Sequence, residues 1–305
     1  MKLLSYEENG KPRFGALVEH RVVDFERASA AYAKLDSSVK QLPSSVELFF
    51  DEIDELDSSA RKIVAKFIED GASDASISAP LEGLKILAPI KRPPKIICVA
   101  RNYAEHAKEA GLEISPIPIL FARFSNTFVA DGDPIVVPKV SDSVDWEGEL
   151  AIIIGKDTKG RRLSKEEAMD YVYGYSVFND VSIRDYQFRV TQYTAGKNFR
   201  ASGPFGPVIV TADEVADPHK LDIKTTLNGH VMQFANTDTM IYNIPTILEH
   251  ISEFIDLEAG DVIPTGTPAG VGFKRKPPVF LKHGDVITVE IPGIGILSNP
   301  VADEA

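Results

Sequence analysis

The chain has 305 residues, 44% of them apolar and 26% charged, enough for one large domain or a large domain with a small appendage. Its net charge of −12 argues against a sequence-independent grip on nucleic acid, which needs a basic face, and against anionic membrane surfaces; an anionic small molecule stays open to a site with its own cations. The one cysteine, Cys98, excludes an intramolecular disulfide and a cysteine metal cage, and no apolar run approaches the ~20 residues of a membrane helix.

After "MKLL" the chain turns polar, without the apolar core of a signal peptide, so a soluble, cytoplasmic protein is expected. Residues 1–80 read as a small α/β domain. Strand-like pieces in "KLLSYEENGKPRFGALVEHRVVDF" surround the turn signal Asn9-Gly10, and helical stretches follow around "ASAAYAKL" and "SARKIVAKFIEDG". The four-proline stretch "APLEGLKILAPIKRPPK" reads as an ordered connector into a second domain, residues 81–305.

From about residue 95 short runs rich in β-branched and aromatic residues dominate, among them "KIICVA", "PILFARF", "ELAIIIG", "YGYSVFNDVS", "GPVIV" and "DVITVEIPGIG". Helices interrupt them at "NYAEHAKEAG", "SKEEAMDYV" and "IPTILEHISEF". The alternation is too irregular for a doubly wound parallel sheet, so the expected class is mixed α/β, mainly β.

Within this region the chemistry-bearing residues appear in order. Cys98, inside "IICVA", reads as a small buried hydrophobe. His106 and Glu109 are three apart, on one face of a helix; a carboxylate beside an imidazole raises its basicity and fixes its tautomer, as a general base requires. A solvated pair on a surface helix has the same spacing. This helix ends at Gly111 before the turn formers of "LEISPIP", so residues about 101–115 are expected to be mobile without ligand and ordered with it.

Glu147 and Glu149, in "VDWEGELAIII", are two apart and share one face of a strand. Like charges held that close need water, a counter-charge or a cation. Asp180 follows an aromatic strand and joins them if the two strands are neighbours. Three carboxylates would then form an oxygen-only site suited to Mg²⁺, Mn²⁺ or Ca²⁺. Lys197, in a Gly/Pro-rich loop, could hold a substrate carboxylate or an oxyanion. "PTGTPAGVG" lacks a nucleotide-loop ending and reads as a tight loop bringing backbone groups and Thr267 to a ligand. His20, His219, His230 and His250 form no metal cluster.

Taken in order, "ICVARNYAEHAKE", "PILFARFSNTFVADGDPI", "VDWEGELAIIIGK", "GYSVFNDVSIRDYQ", "GKNFRASGPFGPVIV", "LNGHVMQFANTDTMIYNIPTILEHIS", "GDVIPTGTPAGVG" and "GDVITVEIPGIGILSNPV" resemble the fumarylacetoacetate hydrolase family. The resemblance runs from about residue 94 to 301. It implies a β-roll or sandwich core with peripheral helices, commonly a homodimer, and Glu147, Glu149 and Asp180 as ligands of Mg²⁺ or Mn²⁺. It implies His106 and Glu109 as the water-activating pair, with Lys197, Arg184, Gln187 and Thr267 at the keto acid and Arg101 and Tyr103 beside the pair. Where some members carry a fourth carboxylate this chain has Val99, and Arg200 stands where many carry Asp. The implied activity is metal-dependent C–C hydrolysis of an acylpyruvate or related 2,4-diketo acid, as in aromatic catabolism. The family also holds decarboxylases of oxaloacetate-type acids and isomerases of unsaturated diacids, and an inactive ligand-binding scaffold is the alternative outside enzymes.

Overall fold

The structure, a computed structural model, describes residues 1–111 and 113–305. Leu112, inside the segment expected to order on ligand binding, lies outside the described residues. The strand Gly148–Ile154 shows how the core is divided. All seven residues are buried. Successive side chains point to opposite faces, so Ala151 and Ile153 enter one apolar cluster while Leu150, Ile152 and Ile154 enter another. Such a strand belongs inside a sheet. It pairs antiparallel with Val172–Asn179 on one side and Val262–Pro264 on the other.

Among the described residues this sheet has ten strands. Its path runs on from Val172–Asn179 through Gly203–Thr211, Lys2–Glu8, Lys11–Val18 and Arg21–Asp24 to Ser78–Pro80. A five-stranded sheet orders His230–Asn236, Asp222–Leu227, Val286–Ile291, Gly295–Asp303 and Ile135–Val137. Helices lie around these sheets. In Ile53–Glu69, Leu56, Ala60, Ile63 and Phe67 form one buried face at helical spacing. The mixed, mainly β class read from the sequence is the class observed. Cys98 is buried as expected, and burial pushes its thiol up.

The first 80 residues hold the strands and helices anticipated, with two differences. The first helix is Phe25–Tyr32, earlier than "ASAAYAKL" suggests, because the Asp24 carboxylate accepts from Arg27 N and caps it. A further short helix, Val46–Asp51, has no clear signal in the sequence. Lys2–Glu8 pairs with Gly203–Thr211, Leu3 facing Ile209. The cluster holding Phe14, Phe49 and Phe67 also holds Phe178, Phe205 and Ile209. Residues 1–80 therefore share a sheet and a core with the rest of the chain.

Candidate functional site

Strand register brings the carboxylates together. Gly148 faces Asn179, so Glu147 and Asp180 stand side by side just beyond the same end of the pair. Asp180 N donates to Glu147 O at 2.8 Å, and Glu147 N donates to Asn179 Oδ1 at 3.0 Å. Glu149 returns to Glu147's face two residues on. One carboxylate oxygen from each of Glu147, Glu149 and Asp180 lies within 4.8 Å of the others, and all three residues are buried.

Cations surround them unevenly. Lys197 Nζ lies 2.7 Å from Glu147 Oε2 and 2.6 Å from Asp180 Oδ2. Arg184 Nη1 lies 2.6 Å from Glu147 Oε1, and its Nε lies 2.8 Å from Asp145 Oδ2. Arg123 pairs with Asp180 Oδ1 and also donates to Ser202 O at 2.6 Å. Glu149 takes part in none of these pairs; its Oε2 accepts from Gly266 N at 2.8 Å. Thus four buried carboxylates face three cations, and the uncompensated charge falls on Glu149. Burial, then Asp180 and Glu147, push the Glu149 carboxyl well above its ordinary range. Burial acts the same way on Glu147, but Lys197 and Arg184 overcome it and hold that carboxyl down at about 2.

A buried carboxylate without a cation, beside two others and with oxygen donors only, fits a hard divalent cation. Such an ion would turn the excess negative charge into one positive charge, which suits an anionic ligand.

A cleft opens over these carboxylates, lined in part by Arg101, His106, Phe121, Gln187, Tyr193 and Thr267. His106 and Glu109 lie on Ala104–Ala110, which ends at Gly111 in the left-handed conformation, as the sequence suggests. His106 Nδ1 is 3.6 Å from Glu109 Oε2 and has no hydrogen-bond partner among the described residues; the two groups are neighbours, beyond bonding distance. Burial raises the Glu109 carboxyl, but His106 and the Gly270 N–H bring it below its ordinary range. The loop 264–272 therefore holds both acids, Gly266 N on Glu149 and Gly270 N on Glu109 at 3.1 Å.

Other expected residues are placed differently from one another. Gln187 Oε1 accepts from Arg184 Nη1 at 2.9 Å, leaving its amide N–H groups to donate. Arg184 is itself clamped by Asp145 and Glu147. Thr267 Oγ1 donates to Gly148 O at 2.9 Å and accepts from Gln233 Nε2 at 2.8 Å, so its proton is already engaged. Tyr103 is buried with an unpartnered hydroxyl and is not part of the cleft lining. Among the charged groups around the carboxylates, Asp145 and Arg123 escaped sequence reading. Asp145 extends the Glu147–Glu149 alternation by one step, a signal that was available. Arg123 carried none, since its partner Asp180 is 57 positions away.

The sequence model described as "Fumarylacetoacetate (FAA) hydrolase C-terminal" matches residues 95–302. The mitochondrial oxaloacetate tautomerase fahd2 of Xenopus laevis is 46% identical over 220 residues, covering 72% of this chain and 68% of its own. A solved fumarylacetoacetate hydrolase from psychrophilic Exiguobacterium antarcticum superposes with a TM-score of 0.77 at 37% identity, covering 100% of both chains. A maleylpyruvate hydrolase from Sphingobium sp., solved with manganese(II) and pyruvate, superposes with a TM-score of 0.76 at 27% identity, again over 100% of both chains.

Proposed function

Since the chain belongs to the fumarylacetoacetate hydrolase family, we propose that it is a divalent-metal-dependent enzyme of enolisable 2-oxo acids, with keto–enol tautomerisation of an oxaloacetate-type acid as its reaction. The observation that carries the metal-enzyme reading is the excess buried charge on Glu149 at the base of the cleft that also holds His106. The choice of tautomerisation is supported by the name and identity of the Xenopus relative.

Glu147, Glu149 and Asp180 would hold Mg²⁺ or Mn²⁺, which when bound supplies Lewis-acid stabilisation of enolate charge. His106, backed by Glu109, takes a proton from the carbon beside the carbonyl and returns one at oxygen. Gln187 donates its free amide N–H to the developing oxyanion. Lys197 stays charged beside it, because Asp180 and Glu147 outweigh its burial.

A second reading, C–C hydrolysis of an acylpyruvate, uses the same groups with His106 deprotonating water. It is supported by the His106–Glu109 placement and by the maleylpyruvate hydrolase likeness. The deciding experiment follows enol absorbance of oxaloacetate with Mg²⁺, with Mn²⁺ and with chelator, alongside an acylpyruvate panel. Metal-dependent tautomerisation is expected. Acylpyruvate cleavage without it selects the second reading, and neither activity removes both. A homodimer and a cytoplasmic location belong to the same proposal; sedimentation and cell fractionation test them, the Xenopus relative being named mitochondrial.

A further inference from the structure

Among the described residues three Lys or Arg side chains line the cleft: Arg101, Arg184 and Lys197. Arg184 and Lys197 each bind two carboxylates. Among the described residues Arg101 is in no ion pair. Its Nη2 donates to Tyr193 Oη at 2.9 Å, and its Nε is buried without a partner among the described residues. Tyr193 is braced edge-on by Phe121, their ring centroids 5.6 Å apart.

The backbone beneath this side chain is unusual. Arg101 sits at φ 58°, the left-handed region, costly for a residue with a Cβ and concentrated at ligand sites. The buried Asn102 holds it there. Its amide donates to Tyr242 O at 2.9 Å and Thr265 O at 2.8 Å, and its carbonyl accepts from Tyr242 N at 2.8 Å. A guanidinium in a cleft, without an anion and on a backbone fixed in a strained conformation, is organised to receive an anion from outside.

We infer that Arg101 binds a second carboxylate of the substrate and makes the site selective for 2-oxo dicarboxylic acids over 2-oxo monocarboxylic acids. This rests on the 2-oxo acid reading above. Charge matching supports it. The carboxylate cluster with a divalent cation carries one excess positive charge, the complement of one substrate carboxylate, and Arg101 supplies the complement of the other.

The test compares wild type, Arg101→Gln and Arg101→Lys, each with Mg²⁺. Turnover of oxaloacetate is measured against that of a monocarboxylic acylpyruvate, and calorimetry measures binding of pyruvate against difluoro-oxaloacetate, which has no proton to lose. In Arg101→Gln the dicarboxylate-to-monocarboxylate selectivity should fall roughly 10–100-fold, the span of a hydrogen bond to a charged group. The loss should appear mainly in KM and equally in the calorimetric ratio, and Arg101→Lys should restore part of it. Equal weakening of both ligands would assign Arg101 to shaping the cleft through Tyr193 and overturn the inference. So would an unchanged ratio, or a wild type indifferent to the second carboxylate. A wild type that turns over neither substrate removes the functional reading itself, and this inference with it.

Discussion

Glu147 and Glu149 are chemically identical and two residues apart, yet they meet opposite electrostatics. Glu147 anchors Lys197 and Arg184, whereas Glu149 answers to a single backbone N–H. Replacing Glu149 by Gln should leave the metal-free protein as stable as wild type or more so, while weakening Mg²⁺ or Mn²⁺ binding beyond the roughly 10–100-fold that loss of an outer partner costs. Replacing Glu147 by Gln takes one of two carboxylate partners from each of the buried cations Lys197 and Arg184, which keep Asp180 and Asp145, and should destabilise the metal-free protein by up to about 3–5 kcal/mol. Thermal melts and metal titrations separate the two, and wild-type metal affinity in Glu149→Gln would sink the assignment.

Asp261 offers a pH test away from the cleft. Burial raises its carboxyl from 3.8 to about 6, against a Glu258 N–H and Lys95. An acid raised in the folded state favours folding below its unfolded value, and that contribution is lost as pH rises through the folded one. Asp261→Asn should therefore gain stability relative to wild type between pH 4 and pH 7. A pH-independent difference in denaturant midpoints would contradict this.

At the scale of elements, the loop 264–272 joins the carboxylate cluster to the His106–Glu109 helix through two backbone N–H groups. Gly266 adopts φ 100°, and a Cβ there would meet Asn102 Cβ at 2.7 Å. Gly266→Ala should cost about 1–3 kcal/mol, the usual range for overpacking. It should also weaken metal binding, because the displaced Gly266 N–H is the one donated to Glu149 Oε2. Unchanged metal affinity would show that the loop does not support the site. The helix itself carries His106 and Glu109 on about two turns before Gly111. Hydrogen exchange with Mg²⁺, with and without oxalate, should show Tyr103–Glu109 gaining more protection than Gly148–Ile154, which is already buried. Equal protection in both states would end the idea of ordering on binding.

For the whole molecule, the division at residue 80 is proposed as a boundary in the chain. The shared strand pair and the shared aromatic core make separate unfolding costly. Calorimetry should show one transition for the full chain, and residues 81–305 alone should not fold cooperatively, since Ile209, Phe178 and Phe205 would lose their apolar cover. Two resolved transitions would instead support an autonomous N-terminal domain.

The sequence by itself determined what depends on near neighbours: the alternation of "GELAIII", the same-face spacing of Glu147 and Glu149, the helix closed by Gly111, and the mainly β class. The order of its motifs also pointed to the family. Only the tertiary structure decided which groups neutralise which. Asp180 reaches Glu147 through strand register, Arg123 and Lys197 reach Asp180 from distant segments, and Asp145 and Glu147 clamp Arg184. It also engaged the Thr267 hydroxyl with backbone and left Arg101 without an anion. The reason is physical. Local periodicity sets which face a side chain occupies, but a buried charge is decided by whatever packs against that face, and those partners are brought in by hydrogen-bond register across the sheets.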